Sequence, residues 1–321
     1  MSKKLNNRNL IIILVVLIGV FVFIRFYRAS RSDSSMRTDI VEVDTAKVSS
    51  ILIYPNSQKG TEIKIYKEGK NWKVTNGKIV SDMESDMVQN LSNTIIGMKA
   101  LRLAARSKDK WGEFQVNDSA GTRVKVLEGK KIVADFVVGK FTYQQSPNPY
   151  GQYGGGGGGV TGTTFVRNYD EDEIYAVNGF LTFTFNQEFN SWRTRKLSKV
   201  NTSDVSKVIF KNLGDSSATL TFDGSKPMVN GQLADSTKVA SYLQSLSNKN
   251  GDAFNDEFIA NAAFPVYELT VEGKNMLPIN IKAYAKDSMF VVNSSANPKA
   301  FFNMDVASVA QLFKGSKAFE K

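Results

Sequence analysis

Four consecutive carboxylates, Asp170-Glu171-Asp172-Glu173, form the densest group of chemistry-bearing side chains in the sequence. Carboxylates ligate calcium or serve as a general acid and base. A calcium loop spreads its oxygens over a dozen residues around a glycine at the bend, and this stretch lacks that spacing. A glycosidase sets two carboxylates apart across a cleft. A run of four between two short apolar segments reads more simply as a solvated turn. An envelope glycan-binding module or a carboxylate-dependent hydrolase remains the alternative reading, and Asp170 or Glu173 would be its working group.

The glycine run Gly154–Gly159 suggests a phosphate loop, but such a loop needs a lysine and a Ser/Thr directly after the glycines at a helix start. Here Val160-Thr161-Gly162 follows, and no helical pattern begins. The run belongs to a proline- and tyrosine-bearing stretch, TYQQSPNPYGQYGGGGGGVTGT, read as a Gly-rich loop over 142–164. Tyr143, Tyr150 and Tyr153 are its candidate partner-contact residues, because aromatic side chains on connections recur in recognition. Two other stretches mix basic residues with tryptophan, RLAARSKDKW (102–111) and WRTRKLSK (192–199). That combination binds nucleic acid when the surrounding surface is also basic.

It is not. The net charge of +10 includes seven basic residues and one acid within residues 1–37, so the body carries 34 basic against 30 acidic residues. No nucleic-acid partner is expected. The chain has no histidine and no cysteine. This excludes disulfides, thiol nucleophiles, imidazole bases, and thiolate or imidazole metal ligands. No catalytic, cofactor-binding or metal-ligating residue is assigned, and no cofactor is expected.

The elements that position these residues begin with a membrane anchor. Leu10 to Ile24 is apolar without a break apart from Gly19, which is 15 residues and roughly 22 Å of helix. Arg25, Phe26 and Tyr27 extend it to roughly 27 Å, the arginine snorkelling to the headgroups, enough for a thin bilayer. Leu10, Ile24, Arg25 and Tyr27 mark its limits. Residues 1–9 read as a short cytoplasmic tail, 10–27 as a transmembrane signal anchor and 28–42 as a polar stalk. A cleaved signal peptide is the rival, yet Tyr27-Arg28-Ala29 supplies only one of the two small residues that cleavage favours. The lipid bilayer is thus an expected partner, with the body on the extracytoplasmic side.

The body repeats itself. Val43 to Ile53 recurs as Val200 to Phe210, about 155 residues on. In both copies an alternating strand follows (Ile63 and Ile65; Leu220 and Phe222), then an Asn-Gly turn (Asn76-Gly77; Asn230-Gly231) and a helix start. Ser81 with Glu84 reads as a capping box and Asp235 as an N-cap. A hairpin around Glu-Gly-Lys comes next, at 128–130 and 272–274, then short strands and an apolar, partly helical close. The alternation predicts antiparallel sheets with one covered and one wetter face. The fold class is α+β, in two tandem related domains of antiparallel sheet plus helix, 43–199 and 200–321, after one N-terminal transmembrane helix. Phe180, Phe183, Phe185 and Phe189 read as core.

The run Ser107 to Phe114, the stretch VNDSAGTRV (116–124), the Phe165-Val166-Arg167 strand leading to Ile174 to Val177, and Trp192 to Leu197 together resemble the bacterial family called domain of unknown function 4340 over residues 40–313. The resemblance implies an inner-membrane, single-pass envelope protein facing the periplasm. It also implies that such proteins are often encoded near ABC-transporter components of the gliding-motility type. It brings no known active site. The expected role is a non-catalytic accessory or scaffolding protein of a transport or envelope complex, with ABC-transporter or other envelope proteins as partners.

Overall fold

A computed structural model describes residues 18–19, 39–145, 160–212, 217–222, 226–260 and 264–321. The anchor residues Leu10, Ile24, Arg25 and Tyr27 lie outside the described residues, as do Tyr150 and Tyr153. Among the described residues no helix is long and apolar enough to cross a membrane.

In chain order the first half runs β1 (Ser50–Tyr54), β2 (Ile63–Glu68), β3 (Asn71–Thr75), β4 (Val80–Asp82), α1 (Ser85–Ile96), β5 (Ala100–Ala105), α2 (Trp111–Phe114), β6 (Thr122–Glu128), β7 (Lys131–Gln145), β8 (Val160–Asn168), β9 (Ile174–Asn178), α3 (Leu181–Phe185) and α4 (Phe189–Trp192). The second runs β10 (Lys196–Lys199), β11 (Val205–Asn212), β12 (Ala218–Phe222), β13 (Pro227–Val229), β14 (Gln232–Leu233), α5 (Ser236–Ser247), β15 (Asn248–Asn250), β16 (Ala253–Phe254), β17 (Tyr267–Gly273), β18 (Ile279–Lys286), β19 (Met289–Ser294), β20 (Asn297–Met304) and α6 (Val306–Leu312). The fold is α+β, dominated by antiparallel sheet.

Two nine-stranded sheets carry the body. Their orders are β4-β3-β2-β1-β6-β7-β8-β9-β5 and β14-β13-β12-β11-β17-β18-β19-β20-β16. Matched element by element, these are one order written twice. Side-chain alternation sets the register. In the first sheet Ile51 faces Ile65 and Val126, and Ile53 faces Ile63 and Val124. In the second Val208 faces Leu220 and Val271, and Phe210 faces Ala218 and Leu269. All ten are buried. Each such residue contributes about 1.5–3 kcal/mol on burial, except the smaller alanine, so a one-residue slip of either central strand is strongly disfavoured.

The helices are amphipathic in the expected way. Val88, Leu91 and Ile95 form the buried stripe of α1. Val239, Tyr242, Leu243 and Leu246 of α5 join the core cluster of the second sheet. Asp235 caps α5, its carboxylate accepting from the Thr237 and Lys238 amides. The capping box expected at Ser81 and Glu84 does not form. Ser81 lies in β4, the Met83 amide donates to the Trp72 carbonyl, and the Glu84 carboxylate is taken by Thr194 and Lys196. Held this way, residues 81–84 stay extended, and α1 starts four residues later than the repeat alignment with α5 implies.

The two Asn-Gly turns also differ. Asn230 and Gly231 both have positive φ, 50° and 81°, as a two-residue hairpin between β13 and β14 requires. Between β3 and β4 the connection is longer: Gly77 has φ 87°, and the Asn76 side chain accepts from the Lys78 and Ile79 amides. By their contacts, the described residues up to Lys67 and within Asp86–Glu188 make one compact unit, and those within Glu68–Ser85 and Phe189–Lys321 make the other.

Candidate functional site

The acidic run does form a turn, between β8 and β9, and its backbone is already engaged. Arg167, at the end of the apolar Phe165-Val166-Arg167 strand, is 1% exposed. Its Nε donates to the Val116 carbonyl at 3.1 Å, and one terminal nitrogen donates to the Tyr169 carbonyl at 2.6 Å, with longer contacts to those of Asn168 and Glu171. The guanidinium centre lies 3.7 Å from the Trp111 ring centroid, and Trp111 Nε1 donates to the Asp172 carbonyl at 3.0 Å. Burial pushes the Arg167 pKa below the ordinary arginine value, and Asp118, 3.8 Å from the other terminal nitrogen, opposes that. A buried cation thus organises the turn from beneath by filling carbonyls that would otherwise be orphaned.

Asp170 and Asp172 point to solvent, while Glu171 accepts from the Asn168 side chain at 3.1 Å. A shallow hollow of about 400 Å³ brings Glu42, Asp135, Asp170 and Glu171 to one surface. Among the described residues no group of three or more Asp and Glu side chains is arranged to hold a metal ion. Asp135 is engaged by Arg123, whose Nε and terminal nitrogen reach its two oxygens at 2.9 and 2.7 Å. That pair raises the Arg123 pKa above its ordinary value. The Arg123 guanidinium lies flat over Tyr169, 3.0 Å from the ring centroid. Both residues line a cleft of about 510 Å³, with Tyr54, Asn56, Lys59 and Ser119, within the size range of small-molecule sites.

The second basic stretch is a clamp within the second unit. Trp192 and Arg193 are buried. Both terminal nitrogens of Arg193 reach the Asp256 carboxylate, at 2.8 and 2.6 Å, and one also donates to Asn190. Its guanidinium covers the Phe254 ring at 3.6 Å. The Thr194 amide donates to the Asp82 carbonyl, and the Asn297 side chain donates to the Thr194 carbonyl at 2.9 Å. Burial pushes the Glu84 pKa up, but hydrogen bonds from Lys196 and Thr194 outweigh it and hold the carboxyl below its usual range. The adjoining pocket holds only about 80 Å³, too small for a substrate. Arg193 and Lys196 of WRTRKL are therefore spent on the fold, while Arg195 is exposed.

The Gly-rich stretch departs from a plain loop at both described ends. Strands β7 and β8 run on into it, with Thr142 facing Thr163, Tyr143 facing Gly162 and Gln145 facing Val160. Pairing of β6 with β7 stops at Val138, so residues 140–145 form an arm with β8 beyond the edge of β6. The threonines, tyrosine and valine there favour extended backbone. Tyr143 is 67% exposed, and Val160 is also exposed. Phe141, Phe180 and Phe183 pack at the root of the arm with ring centroids 4.7 to 6.0 Å apart. Of the phenylalanines expected in the core, Phe185 and Phe189 are buried while Phe183 is exposed.

The acidic turn was legible in the sequence, but the paired strands flanking the Gly-rich stretch and both buried arginines were not. One signal was present for Arg167. In sheet register its counterpart in the second copy is Asn293, another polar residue next to an apolar run, whose side chain likewise donates to nearby carbonyls, those of Pro298 and Ala300.

This arrangement defines an α+β protein of two like-ordered antiparallel sheets. The chain belongs to the family described as domain of unknown function (DUF4340), whose profile matches residues 80–269, more than half of its length. No curated protein and no solved structure matches it.

Proposed function

We propose that this is a membrane-anchored, extracytoplasmic accessory or scaffolding protein of a transport or envelope complex, and that it performs no chemistry of its own. The observation that carries the reading is how the body spends its buried charge. Among the described residues the two buried charged side chains are Arg167 and Arg193. The first is coordinated by backbone carbonyls and an aromatic face, the second by Asp256 and Phe254. Both serve packing. Catalytic sites keep perturbed groups facing a cleft; here the two perturbed groups that line the cleft of about 510 Å³, Tyr54 and Arg123, are engaged by Glu62 and Asp135.

Three further features support it. The apolar run 10–27 precedes the body by a short polar stretch and suits a single span with the body on the periplasmic side of a bacterial inner membrane. The shared strand order of the two sheets fits two tandem related domains, which enlarge a contact surface without adding a reaction. Sheet edges and a protruding arm offer partners a template for strand addition. In this reading the partners are envelope proteins such as ABC-transporter subunits of the gliding-motility type. Affinity purification of the full-length chain from detergent-solubilised membranes tests it. Reproducible recovery of transporter or envelope subunits supports the proposal, and recovery of none overturns it.

A further inference from the structure

We infer that strand β5 and the turn after it, residues 96–110, form the surface by which the first unit lies against anionic lipid headgroups. The inference rests on the membrane-anchor reading and deepens it. Charge is the first ground. The body carries 34 basic and 30 acidic residues, and Lys99 to Lys110 contributes five of the former and one of the latter. Everything else in the body balances at 29 of each, so its whole cationic excess sits in twelve residues.

Lys99, Arg102, Arg106 and Lys108 are exposed, and none of them forms an ion pair among the described residues; Lys108 lies over the Trp111 ring, and Lys110 pairs with Glu113. Two exposed apolar side chains, Ile96 and Leu101, stand among these cations. Basic side chains around apolar ones are the composition of a membrane-surface contact. Strand β5 is also the last strand of its sheet, paired on one side only, with β9.

The second ground is where the tether enters. Asp39 bridges Lys99, and the Ile40 amide donates to the Met98 carbonyl. The chain coming from the anchor therefore reaches the body at the start of β5. Residues 28–38 number eleven, and even fully extended they reach no more than about 40 Å. The basic edge is thus the part of the first unit held nearest the bilayer, and an anionic surface is the partner its charge fits.

The test uses the full-length chain in nanodiscs of neutral phosphatidylcholine and of phosphatidylcholine with phosphatidylglycerol. Hydrogen exchange is read on peptides from 96–110 and, as a fold control, on β17 and β18. Exchange at 96–110 is expected to slow by about fivefold or more in the anionic discs. The slowing should vanish in high salt and in the variant Arg102→Gln, Arg106→Gln, Lys108→Gln, whose control peptides stay unchanged. Equal exchange in the two disc types at low salt overturns the inference while leaving the anchor intact. An alkaline carbonate wash reports on the anchor separately: release of the chain from vesicles would defeat that reading and this one together.

Discussion

Arg193 is gripped at both terminal nitrogens by Asp256, at 2.8 and 2.6 Å, while the flat of its guanidinium lies 3.6 Å from the Phe254 ring centroid. The arginine side chain is 2% exposed and the aspartate 32%. A pair buried on one side is worth little as a net attraction but much once a partner is missing, because the cation left behind is dehydrated and unpaired. Asp256→Ala is therefore expected to cost about 3 kcal/mol in urea unfolding. Arg193→Lys should cost part of that, since an ammonium makes neither the fork nor the stack. A double variant with apolar residues at both positions should recover most of the loss. If Asp256→Ala unfolds like the parent, the clamp contributes nothing to stability.

Glu84 supplies the pH dependence of the same region. Although burial raises its pKa, the hydrogen bonds from Lys196 and Thr194 depress it overall. A depressed carboxyl stabilises the fold above its unfolded pKa of about 4.3, and that share disappears as pH falls through the lower folded value. Acid unfolding followed between pH 5 and 2 should be shallower for Glu84→Gln than for the parent, the two curves converging at the acid end. Parallel curves would show that this contact does not titrate with folding.

Much of this fold can be read from alternation and from turn chemistry. Ile51, Ile53, Ile63 and Ile65 announce two strands facing one core, and Asn230-Gly231 adopts the two positive φ values its dipeptide favours. What could not be read is whatever depends on distant partners. Ser81 and Glu84 have capping-box spacing, but Thr194 and Lys196 lie about 110 residues away and compete for the carboxylate. A local rule loses to a tertiary contact that no local pattern reveals. The same holds for the buried arginines, whose carbonyl and aromatic partners converge only in three dimensions. The arm was legible as a glycine-rich insertion; that its flanks are paired strands follows from Thr142, Tyr143, Thr161 and Thr163, which glycine and proline nearby had masked.

Arg167 offers a check on the carbonyl-filling argument. Its replacement by valine preserves the apolar strand but strands the Val116 and Tyr169 carbonyls and bares one face of Trp111. Each unmet buried carbonyl costs about 1–3 kcal/mol. Arg167→Val should lower the unfolding free energy of the first unit by several kcal/mol, and it should speed exchange at 168–174 before elsewhere. Unchanged exchange in that turn would mean that water replaces the guanidinium without loss.

Two tyrosines predict an alkaline limb. Burial, then the hydrogen bond to Glu62, pushes the Tyr54 hydroxyl up to about 12. Burial raises Tyr242 well above its ordinary value, where its hydroxyl donates to the Leu312 carbonyl at 2.7 Å. Phenols with raised pKa values stabilise the fold below the unfolded value near 10, and the contribution is lost as pH rises toward the folded one. Stability should therefore fall above pH 10, and a fraction of the tyrosine absorbance should ionise only with unfolding. Tyr242→Phe should cost about 1 kcal/mol at pH 7 and flatten the alkaline limb. A limb as steep as the parent's would exclude Tyr242 as its source.

Tyr143 tests the partner role at the arm. It is exposed on a strand pair that continues beyond β6, opposite Gly162, where an added Cβ would come within 2.8 Å of the Phe180 ring. Replacing an exposed side chain shifts stability by no more than about 0.5 kcal/mol, whereas an aromatic anchor in an interface carries 1 kcal/mol or more of binding. Tyr143→Ser should thus leave the melting temperature in place and reduce copurified envelope subunits severalfold. Gly162→Ala separates contact from support: by displacing Phe180 it disturbs the root of the arm without removing the tyrosine, and recovery should fall with it. If both variants retain their partners at parental levels, the arm is not the contact, and the partner-binding surface lies elsewhere on the body.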